Sequence, residues 1–168
     1  SVSKEWDRSV TEAAIEVAGH VTDHLRQLAG SDSDAAKLRK FCEDFTERAF
    51  RRPLTADQKK RYVEDQFSAE KDAALAVKRS IILTLKSPRF LYPEHGGRTP
   101  DDWAVSSRLA LALWDAMPDR RLREAASAGK LHTPEQVDTE TRRMLADPKA
   151  RLKSRDFFVH WLAMNEAG

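Results

Sequence analysis

The chain of 168 residues has few of the residues that cross-link or interrupt a polypeptide: one cysteine and six glycines. A single cysteine excludes an internal disulfide, and no Cys-x-x-Cys or Cys-x-x-Cys-His motif is present to bind zinc or attach haem covalently. We interpret Cys42, which follows Phe41 in an apolar-periodic stretch, as a small buried hydrophobe. No run of about 18 apolar residues occurs, so no membrane span is predicted.

The chain also lacks an excess of one charge. Its 29 basic and 27 acidic residues give a formal net charge of +2, and the two signs are interspersed. Nucleic-acid-binding proteins usually concentrate positive charge on one face, because much of their affinity comes from neutralising phosphates. Basic pairs such as Arg51-Arg52 and Arg142-Arg143 have acidic residues nearby. The charge pattern therefore predicts no nucleic-acid partner.

Apolar residues instead recur at steps of three and four, the period of a helix with one buried face. The first such series is Val10, Ala13, Ala14, Val17, Val21, Leu25 and Leu28. Thr55 and Gln58 predict a capping box. Later helices are predicted to start where a capping residue precedes a proline: Thr99-Pro100, Thr133-Pro134 and Asp147-Pro148. No strand-like alternation is long enough to count, so the sequence predicts an all-α fold of about eight helices.

Turn-forming glycine and proline residues divide these helices into two small helical bundles, residues 1–92 and 99–168. Residues 93–98 contain Gly96-Gly97 and are predicted to be a short Gly/Pro linker. The first bundle contains a Phe-Arg-Arg-Pro junction near residues 50–53, where Pro53 ends a helix. After Ser87-Pro88, residues 90–92 form an apolar strip that we expect to be non-helical. We expect Phe90 and Tyr92 to pack the first bundle against the second.

Histidines are the candidate metal or haem ligands. His20 and His24 are four residues apart, so on a helix they share a face and could hold one metal ion, with Glu16 one turn earlier. The alternative is a histidine pair at a helix–helix boundary. His160, beside Trp161, is a candidate haem ligand or a packed or surface residue. No nucleophile elbow and no phosphate-binding glycine loop is present, so we predict no catalytic residue in this chain.

Arginines and tryptophans are the candidate structural or interaction residues. Arg51 and Arg52 are predicted at a helix C-terminus, where the dipole favours cations. Arg108 lies in an otherwise apolar helix, and a buried arginine needs a carboxylate such as Asp102 or Asp115. Contact with an anion or a partner is the alternative for Arg108. We expect Trp103, Trp114 and Trp161 to be mostly core residues.

Two sets of short motifs resemble two helical domains of unknown function. Residues 45–55, F-T-E-R-A-F-R-R-P-L-T, are similar to a domain marked by its Phe-Arg-Arg-Pro junction. A second set begins with Ser-Pro-Arg-Phe-Leu-Tyr at residues 87–92. It continues with Ser107-Arg108-Leu109, Leu113-Trp114, Met117-Pro118-Asp119, Gly129-Lys130-Leu131, residues 142–148, Phe157 and Trp161-Leu162. This set resembles the domain that follows in planctomycete-type exported proteins associated with c-type cytochromes. The resemblance spans about residues 36–163 and leaves residues 1–35 unassigned.

The resemblance implies a protein of the periplasm or cell envelope. Its partners would be other domains or chains of a cytochrome-associated assembly, and haem would lie on neighbouring domains, so no cofactor is expected in this chain. The similar domain continues past its Trp-Leu pair, and residues 1–6 are not a signal peptide, so we expect a fragment or processed product. The leading hypothesis is a non-catalytic helical scaffold or docking module. The alternative is a fragment of a redox or metal-dependent enzyme that uses His20/His24 or His160.

Overall fold

A computed structural model of the chain describes residues 3–92 and 100–162. Helices make up most of these two ranges, and neither contains a strand. The all-α prediction is therefore confirmed. The chain forms two compact units, residues 1–95 and 96–168. The predicted linker, residues 93–98, lies outside the described residues.

The first unit is built from seven α-helices in its described part. They are α1 (Lys4–Asp23), α2 (Leu25–Ala29), α3 (Ala35–Phe50), α4 (Ala56–Lys59), α5 (Asp65–Ala69), α6 (Ala73–Leu85) and α7 (Pro88–Leu91). A π-helical turn, Lys60–Glu64, joins α4 directly to α5. The predicted capping box is present: the Gln58 N–H donates to Thr55 Oγ1 (3.3 Å), and the Thr55 N–H donates to Gln58 Oε1 (3.0 Å).

The buried stripe predicted for the first helix is partly wrong. Val17 is 42% exposed and Leu28 is 48% exposed. The buried residues of α1 and α2 are Ala14, Ala18, Val21 and Leu25. The main packing partner of α1 is α6, and a single neighbouring helix covers only a narrow stripe. His24 also leaves helical geometry (φ −118°, ψ 20°), so α2 starts in a new orientation.

Two further predictions for the first unit are wrong. The apolar spacing of Ala74, Val77, Ile81 and Leu85 predicts a helix from about Ser68. Helix α6 begins only at Ala73, because Glu70 is extended and the Asp72 carboxylate caps the N-terminus of α6. The strip at residues 90–92 was expected to be non-helical. Residues 90 and 91 instead belong to the short helix α7, which Ser87 caps by accepting a hydrogen bond from the Arg89 N–H (3.3 Å).

The second unit contains four helices in its described part: α8 (Asp102–Trp114), α9 (Arg120–Ser127), α10 (Pro134–Ala146) and α11 (Pro148–Trp161). Thr133 and Asp147 cap α10 and α11 before a proline, as predicted. The predicted start at Thr99-Pro100 is wrong, because the Asp101 carboxylate caps α8 by accepting from the Ala104 N–H (2.8 Å). The buried core consists of Ala110, Trp114, Leu122, Ala126, Leu131, Met144 and Ala150.

The tryptophans have different environments. Trp114 is 6% exposed and belongs to the core, whereas Trp103 is half-buried against it. Trp161 is 68% exposed, so its core prediction is wrong. Helix α11 packs on α8 and α10, and its one buried residue is Ala150, near its start. Its last turns are exposed instead: Phe157 is 59% exposed and Phe158 is 49% exposed. No helix among the described residues is long and apolar enough to cross a membrane.

Candidate functional sites

The Phe-Arg-Arg-Pro junction forms the C-terminus of α3. Arg51 adopts the left-handed conformation (φ 61°), in which glycine is the usual residue. The Arg51 N–H donates to the Arg48 carbonyl and the Arg52 N–H donates to the Glu47 carbonyl, both at 3.1 Å. These bonds satisfy carbonyls at the helix end, as in the Schellman motif. Pro53 follows as an exposed residue. The junction is therefore a sharp stop for α3.

The Arg51 side chain links this junction to α7. It is 6% exposed, and its Nη2 donates to the carbonyls of Arg89 (3.0 Å) and Phe90 (3.2 Å) at the end of α7. The last carbonyls of a helix have no partner within the helix, so a guanidinium satisfies them well. Burial lowers the pKa of Arg51 from its usual value. The Phe-Arg-Arg-Pro and Ser-Pro-Arg-Phe-Leu-Tyr motifs thus form one contact.

The apolar residues of the second motif also pack within the first unit. Phe90 lies against the core of α3 and α6, and Tyr92 stacks on Trp6 with ring centroids 6.0 Å apart. The Tyr62 and Ser87 hydroxyls are hydrogen-bonded at 3.0 Å. These contacts assign a structural role to the motif inside its own unit. The expectation that Phe90 and Tyr92 also pack the first bundle against the second stays a prediction.

Buried small polar groups join α6 to α3 and to the π-helical turn. The Thr46 and Thr84 hydroxyls are 3.1 Å apart, and Ser80 donates to the Tyr62 carbonyl at 2.7 Å. Cys42 lies in the same region and is fully buried, which raises the pKa of its thiol to about 11. A protonated, inaccessible thiol is a poor nucleophile. The interpretation of Cys42 as a small buried residue is confirmed.

His20 and His24 lie on the exposed surface at the end of α1. Their ring centroids are 4.3 Å apart, with an interplanar angle of 32°. His24 Nδ1 is 2.8 Å from the His20 carbonyl, which can only accept, so Nδ1 carries the proton and Nε2 remains available as a ligand. No group of three or more His, Cys, Asp or Glu suited to a metal ion exists among the described residues. Metal binding by this pair stays a prediction.

His160 and Arg108 are also exposed. His160 Nδ1 donates to the Asp156 carbonyl at 2.7 Å, one turn earlier in α11. Arg108 was expected to pair inside the core with Asp102 or Asp115. Both carboxylates bind other groups: Asp102 binds His132 (2.6 Å) and Asp115 binds Lys153 (2.6 Å). Because Arg108 is exposed, burial does not demand an internal ion pair, and the choice between such a pair and contact with an anion or a partner stays a prediction.

The Asp102–His132 pair was not predicted, because its members are 30 residues apart and carry no joint motif. Asp102 is buried; its Oδ1 lies 2.6 Å from His132 Nδ1, and its Oδ2 accepts from the Leu131 N–H at 2.9 Å. The hydrogen bond between the two side chains raises the pKa of His132 and lowers the pKa of Asp102. The pair ties the start of α8 to the segment before α10.

A second group that the sequence did not reveal surrounds Trp114. Arg143 donates to Asp119 (2.9 Å) and to the buried Glu140 (2.7 Å), and Arg121 donates to the other oxygen of Glu140 (2.9 Å). The Arg143 guanidinium also lies 5.4 Å from the centroid of the Trp114 ring, within cation–π range. The arginines and carboxylates of this group therefore neutralise one another and share their hydrogen bonds. Their arrangement is that of a structural ion-pair network.

An exposed apolar surface is the main feature of the second unit that its own packing leaves unexplained. We call it the α11 surface; it comprises Leu145, Phe157, Phe158, Trp161 and Leu162, each about half exposed or more, whereas the equally exposed Leu152 lies on the opposite face of α11 from Trp161. The apolar residues of the last two helices in the sequence, Leu145, Leu152, Phe157 and Leu162, are predicted from their helical spacing to be buried; their exposure shows that this prediction is wrong, as it is for Trp161. Phe157 stacks on Trp161 with centroids 6.0 Å apart. Beside these rings lies a groove of about 330 Å³.

Two family models match the chain in tandem. Residues 37–93 match PSD5, a protein of unknown function (DUF1595), and residues 101–168 match PSD4, a protein of unknown function (DUF1592). Residues 87–92 fall in the first match, which corrects their assignment to the second domain; their contacts with Arg51 agree with this. No curated protein and no solved structure matches the chain.

Proposed function

We propose that this chain is a non-catalytic helical docking module of a larger exported, cytochrome c-associated protein. The observation that carries the proposal is the α11 surface. Single exposed apolar residues are normal on a protein surface, but a contiguous group that includes Phe157, Phe158 and Trp161 is typical of an interaction site. Aromatic residues are also enriched in the residues that dominate binding energy at interfaces.

The environments of the titratable groups support a structural role. Active sites usually hold groups whose pKa is shifted in a cleft open to substrate. The shifted groups of this chain instead serve internal contacts, as Asp102 does with His132 and Arg51 does with α7. Cys42 is sealed in the core. These contacts support the proposal that the titratable groups stabilise the two units and do not form a catalytic site.

The tandem family matches support the cellular context. This pair of domains is typical of planctomycete cytochrome c-associated proteins. We therefore propose that the parent protein lies in the periplasm or cell envelope and that haem is bound by neighbouring domains. Its partners would be other domains or chains of that assembly. The redox-enzyme alternative would need haem or metal on His20/His24 or His160 of this chain, and no observation favours it.

Site-specific photo-crosslinking in cells of the source organism tests the docking role. A photoreactive residue replaces Trp161 in the α11 surface; the matched control replaces Leu75, an exposed apolar residue of α6 in the first unit. We expect the Trp161 position to crosslink to a chain identified by mass spectrometry as exported and haem-binding. Equal crosslinking at both positions, or crosslinks only to cytosolic chains, would contradict the proposal.

Native mass spectrometry of the chain purified from the same cells tests the alternative. A bare polypeptide agrees with the docking role. Bound haem or metal would favour the enzyme, and replacing His20, His24 or His160 with alanine would show which histidine holds it. This measurement does not depend on the crosslinking result, so the two hypotheses are tested separately.

A further inference from the structure

We infer that the groove beside α11 binds an acidic amphipathic helix of a partner protein. The inference rests on the proposed docking function and adds the chemistry of the partner. It follows from three properties of the second unit: the shape of the groove, the charge of the helix that forms one wall, and the partners of its cationic side chains.

The groove lies between three helices. Leu113 of α8 and Leu145 of α10 face Phe157 and Phe158 of α11, and the remaining lining residues are Ala112, Ala150, Lys153 and Ser154. Its volume of about 330 Å³ is at the lower end of the range for binding pockets, roughly 300–1,000 Å³. An apolar recess between helices suits the anchor side chains of an amphipathic helix, spaced at i, i+3, i+4 and i+7.

The positive net charge of α11 favours a partner with a negatively charged surface. This helix carries four basic residues and one acidic residue, a formal net charge of +3, whereas the whole chain carries +2. The basic residues are Lys149, Arg151, Lys153 and Arg155, and the acidic residue is Asp156. A partner with carboxylates beside its apolar face would be attracted to this helix and oriented by it.

The basic side chains of α11 differ in their ion-pair partners. Lys153 Nζ already binds Asp115 Oδ1 and the Leu111 carbonyl, both at 2.6 Å. Arg151 and Arg155 are exposed, and within residues 3–92 and 100–162 no carboxylate lies at ion-pair distance from either of them. They are one helical turn apart, so two carboxylates at the same spacing on a facing helix can reach both.

The same features disfavour two other occupants of the surface. A second copy of this chain would bring a helix of net charge +3 against another of +3, and like charges across an interface are unfavourable. A lipid bilayer has no side chains at fixed spacing to enter the recess that Phe157 and Phe158 line. A helix fills the recess and supplies the opposite charge.

Fluorescence anisotropy with two designed peptides tests the inference on the full chain. Both are helical, about 20 residues long, with Leu and Phe at i, i+3, i+4 and i+7. Their remaining positions are Glu in one peptide and Lys in the other. We expect the Glu peptide to bind at least about tenfold more tightly, with affinity falling as salt rises. The double variant Arg151→Glu/Arg155→Glu should reverse this preference, and Phe158→Ala should weaken both peptides.

The outcomes separate the inference from the proposed function. Equal binding of both peptides, or no binding of either, would overturn the acidic-helix inference, while crosslinks at Trp161 to an exported chain would still support docking. Tighter binding to phosphatidylglycerol vesicles than to the Glu peptide would assign the surface to a membrane. Dimerisation that Phe158→Ala abolishes would assign it to a second copy. Each of these last two results would also overturn the inference.

Discussion

Replacing Trp114 with alanine is expected to destabilise the second unit strongly. The side chain is 6% exposed, its Nε1 donates to the Met144 carbonyl at 3.0 Å, and the Lys149 ammonium lies 4.8 Å from its ring centroid. Truncation of a buried tryptophan costs about 3–5 kcal/mol, because it removes apolar contacts and leaves a cavity. It also removes one of the two hydrogen bonds that the Met144 carbonyl accepts, the other being donated by the Asp147 N–H at 3.2 Å.

The expected loss is large against the stability of a unit of this size. Residues 96–168 form 73 residues, for which the usual free energy of unfolding is about 4–11 kcal/mol. A loss of 3 kcal/mol corresponds to a melting temperature at least about 12 °C lower. Trp114→Phe keeps most of the ring but loses the N–H donor. We expect this variant to lie between the wild type and alanine.

Hydrogen exchange followed by mass spectrometry measures this change in the intact chain. The amides of α8 and α10 should exchange at least about 100-fold faster in Trp114→Ala, because each 1.4 kcal/mol corresponds to a factor of ten. Trp161→Ala is the matched control: this ring is 68% exposed, so its removal should change stability by no more than about 0.5 kcal/mol. Equal effects of the two substitutions would refute the assignment of core and surface.

Three further predictions concern buried or paired groups. Arg51→Met should destabilise the first unit by about 1.5–3 kcal/mol in urea unfolding, since two helix-end carbonyls lose a charged donor; Arg51→Lys should restore part of this, and no loss would contradict the contact. His132 has a pKa raised above its usual 6.5, so its contribution to stability is fully present below pH 6.5 and is lost as pH rises through the folded-state pKa. The lowered pKa of Asp102 makes its contribution present above pH 3.8 and lost as pH falls. The unfolding midpoint of the second unit should therefore decline above pH 6.5, and a His132→Gln variant with the same decline would exclude this pair as its cause. Cys42 should not react with a thiol reagent at pH 8 until the chain is unfolded, and rapid labelling of the native chain would show that the thiol is accessible.

Local signals were predictable because they depend on neighbouring residues. The capping box of Thr55 and the Thr133-Pro134 start of α10 satisfy helix-end N–H groups that any isolated helix would expose. The start at Thr99-Pro100 was wrong because Asp101, two residues later, offers a competing cap. Where one capping residue is present, sequence therefore predicts the helix start; where two compete, the structure decides.

Candidate sites were less predictable than caps, because they join residues distant in sequence. The contact of Arg51 with α7 spans 38 residues, and the Asp102–His132 pair spans 30. Neither has a periodic pattern. His20 and His24, predicted from their spacing alone, do share the end of α1. Spacing on one helix fixes which side chains are neighbours, whereas contacts between helices depend on how the helices pack.

Helical periodicity and capping are local properties, so the amino-acid sequence alone predicts that this protein is all-α and approximately where its helices start and stop. Which apolar residues are buried depends instead on how the helices pack in the folded chain. Trp114 and Trp161 have equally apolar neighbours in sequence. Yet α8 packs against α9, α10 and α11, and Trp114 is 6% exposed, whereas Trp161 at the end of α11 is 68% exposed. Burial depends on what lies opposite a side chain. For that reason the α11 surface, on which the proposed function rests, could be recognised only in the folded chain.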